Sequence, residues 1–465
     1  MILKRITSEG IAHHSYLVGS GGEAAAIDPR RDIGVFLELA GRNDLRITRV
    51  FETHRNEDYV IGSLELARAT GARVHHGAAL PFAYGEPVRD GDRFRVGSLE
   101  LRVLETPGHT EESISLAVAE AGSPDRALAV FTGDALFAGD TGRTDFFPGR
   151  EEEMAGKLYD SLHRKILPLG DGVLLCPAHG SGSVCGANIA DRDLSTLGYE
   201  RAANPQLRLD RRAFIAQKTG EQHHTPAYFR QMERYNLQGP PPLPAHPFLS
   251  PLPVGRVKEL AAAGAWLLDI RLPTSFAGGH IPGSLNLWRE GMAAFAGYFL
   301  TYDRPIILID DFNLQLEPVH RQLLRLGFDS VAGYLAGGFF AWAKAGEPLG
   351  HIPTLSVHEL KVRLGDPSVY LLDVRDRGNF DRFGHLPGAH QVYVGELPPV
   401  ISSFPREKEI LTFCDSGYKS SIAASLLLRE GFGRVSVVLG SMAAWRSAGF
   451  PVEHDVKAGS TPPTA

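Results

Sequence analysis

Apolar and polar positions divide this chain into β-rich and helical stretches. Residues 47–51 alternate apolar and polar side chains, the period-two signature of a strand, and the run stops at Thr53. His54 is therefore predicted on a loop at a strand's C-terminal edge, where loops commonly carry binding groups. Residues 173–176 form a short apolar run in which Cys176 reads as a core side chain. In the C-terminal half, β-rich runs at 306–309 and 410–413 alternate with helical segments such as 420–429. That alternation predicts parallel sheets with crossover helices.

The same half repeats itself once, at an offset of about 104 residues, as two domain-sized copies rather than a solenoid. Leu267-Leu268-Asp269-Ile270-Arg271 aligns with Leu371-Leu372-Asp373-Val374-Arg375, and Gly279-His280-Ile281-Pro282-Gly283 with Gly384-His385-Leu386-Pro387-Gly388. Leu326-Gly327-Phe328 aligns with Glu430-Gly431-Phe432, and Trp342 falls near Trp445. Ahead of the first copy, residues 238–254 hold Pro240, Pro241, Pro242, Pro244, Pro247, Pro251 and Pro253, the composition of a semi-rigid linker.

With 465 residues the chain has room for about three domains. A formal charge of -6 with no Lys/Arg-rich run offers no basic field, so nucleic acid is not expected as a partner. No run of eighteen apolar residues occurs, and none follows the charges of Met1-Ile2-Leu3-Lys4-Arg5-Ile6, so no membrane partner is expected and a cytoplasmic location is. Three cysteines, 176, 185 and 414, are too few for a disulfide framework and are expected to be buried or reactive thiols. The pairs His13-His14, His75-His76 and His223-His224 lack ligand-type context, and surface or structural roles are expected for them.

Four ordered segments carry the candidate metal chemistry: Thr53-His54-Arg55-Asn56-Glu57-Asp58-Tyr59, Thr106-Pro107-Gly108-His109, Thr132-Gly133-Asp134 and Pro177-Ala178-His179-Gly180. Together they resemble the signature of the metallo-β-lactamase superfamily, with Asn56 and Tyr59 standing where two imidazoles are usual. A neutral amide is a poor ligand beside imidazole, and a phenol, with a pKa of roughly 10, is normally protonated. Two His and one carboxylate with open positions is the arrangement associated with iron(II) that activates dioxygen, whereas structural zinc takes a fourth protein ligand. The resemblance narrows to the persulfide dioxygenases of that superfamily. It implies one Fe(II) per chain held by His54, His109 and Asp134, with zinc as the alternative ion. Asn56, Asp58, Tyr59 and His179 then surround the ligands or form a weak second metal site. Arg143, in Gly142-Arg143-Thr144-Asp145-Phe146, either steadies an anionic substrate or pairs with Asp145 or another nearby acid. Cys185, six residues after His179, resembles a Cys of persulfide dioxygenase–rhodanese fusions that is a candidate sulfur relay; the alternative is a small side chain that fits its loop.

Asp-x-Arg followed by Gly-His-x-Pro-Gly resembles the rhodanese family in both copies, but a nucleophile stands only in the second. There a strand runs into Cys414-Asp415-Ser416-Gly417-Tyr418-Lys419-Ser420, with a helix expected from about Ser420 or Ser421. Such a loop aims backbone N–H groups and the positive end of a helix at one point. It favours a thiolate or persulfide anion on Cys414, with Lys419 adding charge and Asp415, Ser416, Gly417, Tyr418 and Ser420 lining the substrate. In the first copy Asp310 stands opposite Cys414, and a carboxylate cannot relay sulfur. Asp310, Asp311 and Glu317 would also repel an anion, so that copy is read as a non-catalytic scaffold or as part of a shared surface.

The resemblance thus implies an α/β chain: an αββα metallo-β-lactamase sandwich over residues 1–240, then two rhodanese-like α/β domains with parallel sheets. The first, 250–350, is inactive and the second, 354–454, active, followed by a disordered tail at 455–465. It implies oxidation of a low-molecular-weight thiol persulfide by dioxygen to sulfite, which Cys414 then converts to thiosulfate, in a dimer or tetramer. Two other classes stay open: a zinc thioester hydrolase of the glyoxalase II type, and a non-oxidative carrier or sensor of sulfane sulfur built around Cys414.

Overall fold

The computed structural model describes residues 1–454 apart from 184, 187, 193 and 244–247. The tail at 455–465, and Pro244 and Pro247 of the linker segment, lie outside the described residues. The chain divides into two compact units, one of residues 1–247 with 321–329, the other of the remainder.

Among the described residues of the first unit, two six-stranded sheets form. One takes β1 (Ile2–Ser8), β2 (His13–Ser20), β3 (Glu23–Ile27), β4 (Arg46–Phe51), β5 (Arg73–Gly77) and β6 (Glu86–Val88) in chain order. The other takes β7 (Arg93–Val96), β8 (Leu99–Glu105), β9 (Ile114–Glu120), β10 (Ala127–Gly133), β11 (Leu174–Pro177) and β12 (Ser195–Thr196), again as sequential neighbours. Successive side chains of a strand point to opposite faces. Val18, Ala25, Ile27 and Phe51 accordingly meet Leu101, Val103, Phe131 and Cys176 between the sheets. Their chain neighbours Leu17, Ala24, Ala26 and Val50 pack outward on Phe36 of helix Gly34–Arg42 and Leu66 of helix Ser63–Thr70. Leu158 of helix Glu151–Ser161 and Phe214 of helix Arg211–Gly220 cover the second sheet in the same way. This is the αββα sandwich. Each fully buried Leu or Phe contributes about 1.5–3 kcal/mol, and both faces of the sheets collect that gain.

In the second unit the two repeats build two parallel sheets of identical order. The first runs β13-β17-β16-β14-β15, from β13 (Pro251–Leu252), β14 (Trp266–Asp269), β15 (Leu285–Asn286), β16 (Ile306–Ile309) and β17 (Val331–Leu335). The second runs β18-β22-β21-β19-β20, from β18 (Thr354–Leu355), β19 (Val369–Asp373), β20 (His390–Gln391), β21 (Glu409–Phe413) and β22 (Val435–Val438). The Asp-x-Arg motif is a structural clasp in both. Arg271 pairs with Asp269 at 2.6 Å and donates to the Gly279 carbonyl at 2.7 Å. Arg375 pairs with Asp373 at 2.6 Å and donates to the Gly384 carbonyl at 2.9 Å. Each clasp joins the end of a strand to its Gly-His-x-Pro-Gly turn, so the motifs persist in a copy that lacks the cysteine. Among the described residues no helix is long and apolar enough to cross a membrane.

Candidate metal centre and thiol site

The four motif segments follow the C-terminal ends of β4, β8, β10 and β11, which gathers them at one edge of the sandwich. Their approach depends on Gly133, at φ +52°: a Cβ there would stand 2.5 Å from Thr53 Oγ1. Ligand-type atoms of His54, His109 and Asp134 all lie within 4.8 Å of one another, and all three residues are buried.

Each of the three is oriented through the atom it does not turn inward. His54 Nδ1 lies 2.9 Å from Thr53 Oγ1, whose hydroxyl donates to Asp28 Oδ2 at 2.7 Å. His109 Nδ1 lies 3.0 Å from the Arg143 carbonyl, which accepts its proton. Asp134 Oδ1 lies 2.7 Å from His179 Nδ1. The atoms left over are His54 Nε2, His109 Nε2 and Asp134 Oδ2, which have no hydrogen-bond partner although buried. Asp134 Oδ2 is 3.8 Å from His54 Nε2 and 3.5 Å from His109 Nε2, too far for good hydrogen bonds. Converging, buried and unsatisfied donor atoms fit a metal ion, and imidazoles fixed by a second hydrogen bond are typical of metal ligands.

Electrostatics agree with that use. Burial lowers His54 to a pKa of about 3, leaving a neutral imidazole. Burial alone would raise Asp134, but His179, His54 and His109 outweigh it and hold the carboxyl below its usual range. His179 also reaches Asp58 Oδ2 through Nε2 at 2.9 Å. Burial disfavours its charge, yet Asp134 and Asp58 lift it well above the usual imidazole range. In this arrangement His179 braces Asp134, and with Asp58 and Cys185 it forms a second buried cluster of ligand-type atoms. Burial keeps the Tyr59 phenol protonated, and its hydroxyl reaches the Asp28 carbonyl at 3.3 Å. Asn56 turns its amide N–H to the His54 carbonyl at 3.0 Å.

Of the two roles expected for it, Arg143 shows the pairing with Asp145. Its buried guanidinium makes paired 2.7 Å bonds to Asp145, donates to the His224 carbonyl and to Thr225 Oγ1, and lies over the Phe146 ring. Local partners take up its donors, so its contribution to the site is its backbone carbonyl on His109. Cys185 is buried, with its sulfur within 4.8 Å of donor atoms of Asp58 and His179. Burial pushes its thiol well up, so it stands beside the centre as a protonated thiol, which is a poor nucleophile. His13, expected in a surface or structural role, is buried beside the centre: its ring lies tilted 3.9 Å from Tyr59 and meets His179 edge-on at 5.5 Å. Asn236 was also invisible in sequence. It donates to the carbonyls of Asn56 and Tyr59 at 2.6 and 2.7 Å and accepts from Ile61 N–H at 3.0 Å. No local motif marks either residue.

In the second unit Cys414 follows β21 and is buried, with Sγ accepting the Gly417 N–H at 3.1 Å and lying 3.8 Å from Ser420 Oγ. The helix starts earlier than expected, at Tyr418, because Gly417 at φ +106° turns the chain directly into its first turn. Lys419 is paired within the loop: its ammonium lies 3.1 Å from Asp415 and 3.7 Å from Asp376. The anion cradle is therefore chiefly backbone, with Lys419 and Asp415 bracing the loop. Ser416 is exposed, and Tyr418 meets Trp288 of the first repeat at 4.8 Å. A cavity of about 180 Å³ lined by Ser416, Gly417 and Tyr418 also includes Leu272, Pro273 and Thr274 of the first repeat. In that repeat Asp310 follows β16 as Cys414 follows β21, and it pairs with Arg289 at 2.7 Å.

Residues 10–181 match the family model of the metallo-beta-lactamase superfamily, and residues 254–345 and 356–448 match that of the rhodanese-like domain. The chain is similar to the mitochondrial persulfide dioxygenase ETHE1 of Homo sapiens, 32% identical over 209 residues, covering 43% of this chain and 74% of that protein. It is 37% identical over 173 residues to a hydroxyacylglutathione hydrolase of Cereibacter sphaeroides, covering 36% of this chain and 62% of the relative's length. Among solved structures it is similar to a metallo-beta-lactamase from Staphylococcus aureus subsp. aureus COL, with a TM-score of 0.64 at 30% identity, covering 72% of this chain and 98% of that one.

Proposed function

Because the chain belongs to the metallo-β-lactamase superfamily, as a persulfide dioxygenase-type domain fused to two rhodanese-like domains, we propose that it oxidises a small-thiol persulfide to sulfite and converts sulfite to thiosulfate. One observation carries the reading: three buried donor atoms, His54 Nε2, His109 Nε2 and Asp134 Oδ2, converge without partners. An iron(II) ion held by those three atoms would supply redox chemistry toward sulfur and dioxygen. Persulfide RSSH, dioxygen and water give RSH, sulfite and two protons. The protein's part is to orient His54 through Thr53 and His109 through the Arg143 carbonyl, and to hold Asp134 ionised through His179.

Cys414 performs the second half. Its thiolate takes the outer sulfur of another persulfide, releasing RS⁻, and the Gly417 N–H steadies the charge. Sulfite then attacks that outer sulfur, forming thiosulfate and returning the thiolate. In the Cys414→Ser variant, oxygen uptake with glutathione persulfide should persist while sulfite accumulates in place of thiosulfate. Loss of both activities together would sink this division of labour.

The similarity to a hydroxyacylglutathione hydrolase favours one other reading, a zinc-dependent thioester hydrolase. Against it stand Asn56 and Tyr59 in place of imidazoles, with the Asn56 amide turned to the His54 carbonyl and the Tyr59 hydroxyl to the Asp28 carbonyl, which leaves Asp58, His179 and Cys185 as the ligand-type atoms for a second zinc. Metal analysis of protein purified without added metal separates the two. We expect one iron per chain and oxygen consumption; a zinc pair with thioester hydrolysis and no oxygen uptake would select the hydrolase.

A further inference from the structure

We propose that a basic cavity at the edge of the sandwich where β4 begins binds a small phosphorylated molecule. The cavity, of about 300 Å³, is lined by Arg46 and Arg49 of β4, Arg73 of β5 and Arg95 of β7, with Glu23 of β3 as its one carboxylate. It is separate from the metal centre: β4 runs from Arg46 to Phe51, roughly 16 Å at 3.3 Å per residue, and His54 lies beyond that far end. No basic run in the sequence announces it. Strand order gathers four scattered positions of a chain whose formal charge is -6.

The protein itself compensates these cations poorly. Arg49 and Arg73 are direct partners across the β4–β5 ladder, and like charges so placed repel. Arg73 pairs with Glu86 at 2.6 Å, whereas Arg46 has Glu23 only at 3.8 Å, with both side chains exposed. Glu100, opposite Arg95 across the β7–β8 ladder, pairs with Arg93 instead. Arg49 shares a strand face with Phe51, which turns toward the second sheet. Its half-buried guanidinium lies 5.0 Å over the Phe94 ring and donates to His75 Nε2 at 3.2 Å. Burial, and then Arg49 itself, lower His75 to a pKa of about 4, so that ring is neutral near pH 7 and brings no counter-charge.

With Arg73 offset by Glu86, three guanidiniums face one carboxylate, an excess of two positive charges. A phosphate monoester carries about -1.5 to -2 at pH 7 and offers three acceptor oxygens, which matches that excess; a single carboxylate does not. Guanidinium forks take phosphate oxygens in paired, charge-assisted hydrogen bonds. The volume is that of a small-molecule pocket and leaves room for the organic part of an ester.

The test is isothermal titration calorimetry of the full-length protein with inorganic phosphate, AMP and adenosine. AMP should bind one per chain and adenosine should not. AMP binding more tightly than phosphate identifies an ester as the ligand, and equal affinities identify free phosphate. R49M and R95A should each weaken binding at least about 10-fold, the loss of one charge-assisted contact. H54A should retain it. Melting curves establish that the variants are folded; if R49M does not fold, R95A decides. No saturable binding of phosphate or AMP, adenosine binding as tightly as AMP, or affinity unchanged in the folded arginine variants would overturn the proposal. Loss of binding in folded H54A would place the anion on the metal and overturn it as well.

Discussion

Asp28 shows how a single side chain is recruited at long range. It sits at φ +45° just after β3, accepts both the N–H and the hydroxyl of Thr53 at 2.7 Å, and through Thr53 sets which nitrogen His54 turns inward. Burial raises its pKa to about 7, above the ordinary value near 3.9 of an unfolded chain. The folded protein therefore keeps a proton that the unfolded chain has released. Its stabilising contribution is full below about pH 4 and is lost as pH rises to about 7. The Asp28→Asn variant does not titrate, so its melting temperature relative to wild type should improve steadily across that window. A constant difference would refute the assignment. Arg143 teaches the converse at the same scale: of the two partners its charge allowed, a substrate or a nearby acid, Asp145 two residues on holds it at 2.7 Å.

Among the elements, helix Phe229–Gln238 matters for what its buried Asn236 holds. One carboxamide serves three backbone groups of residues 56–61, the loop that follows His54 and carries Asp58. Leaving buried backbone groups unpaired costs about 1–3 kcal/mol each, so Asn236→Ala should destabilise the apoprotein by on the order of 3 kcal/mol. It should also weaken metal binding, because the ligand loop is no longer held. Thermal melting and metal titration read the two effects, and a variant that matches wild type in both would show that the loop holds itself. The loop at Cys414 is set by its own elements: β21 delivers the thiol, and Gly417 starts the helix close enough for its N–H to reach sulfur.

Taken whole, the proposed function joins a site that makes sulfite to one that uses it. Linking two sites raises the effective concentration of what passes between them. Full-length Asp134→Ala and Cys414→Ser proteins, mixed, should make thiosulfate at a per-chain rate that falls on dilution, while the wild-type rate does not. Equal behaviour at every dilution would mean that the covalent link confers no advantage.

The strands, the internal repeat, His54, His109, Asp134 and Cys414 could all be read from the chain, because each is written in a local pattern: alternation along a strand, or a few residues around a strand's end. The first repeat's lack of a sulfur nucleophile was equally plain from Asp310. His13, Asp28 and Asn236 were not legible as neighbours of the centre. They meet it through sheet order and packing, as when Asn236 bonds across 180 residues to Asn56, and nothing in their own neighbourhoods records that contact. The direction of a charged side chain was open for the same reason. Whether Arg143 and Lys419 face a substrate or an acid depends on which partner the folded backbone brings within about 3 Å, a distance that chain order does not contain.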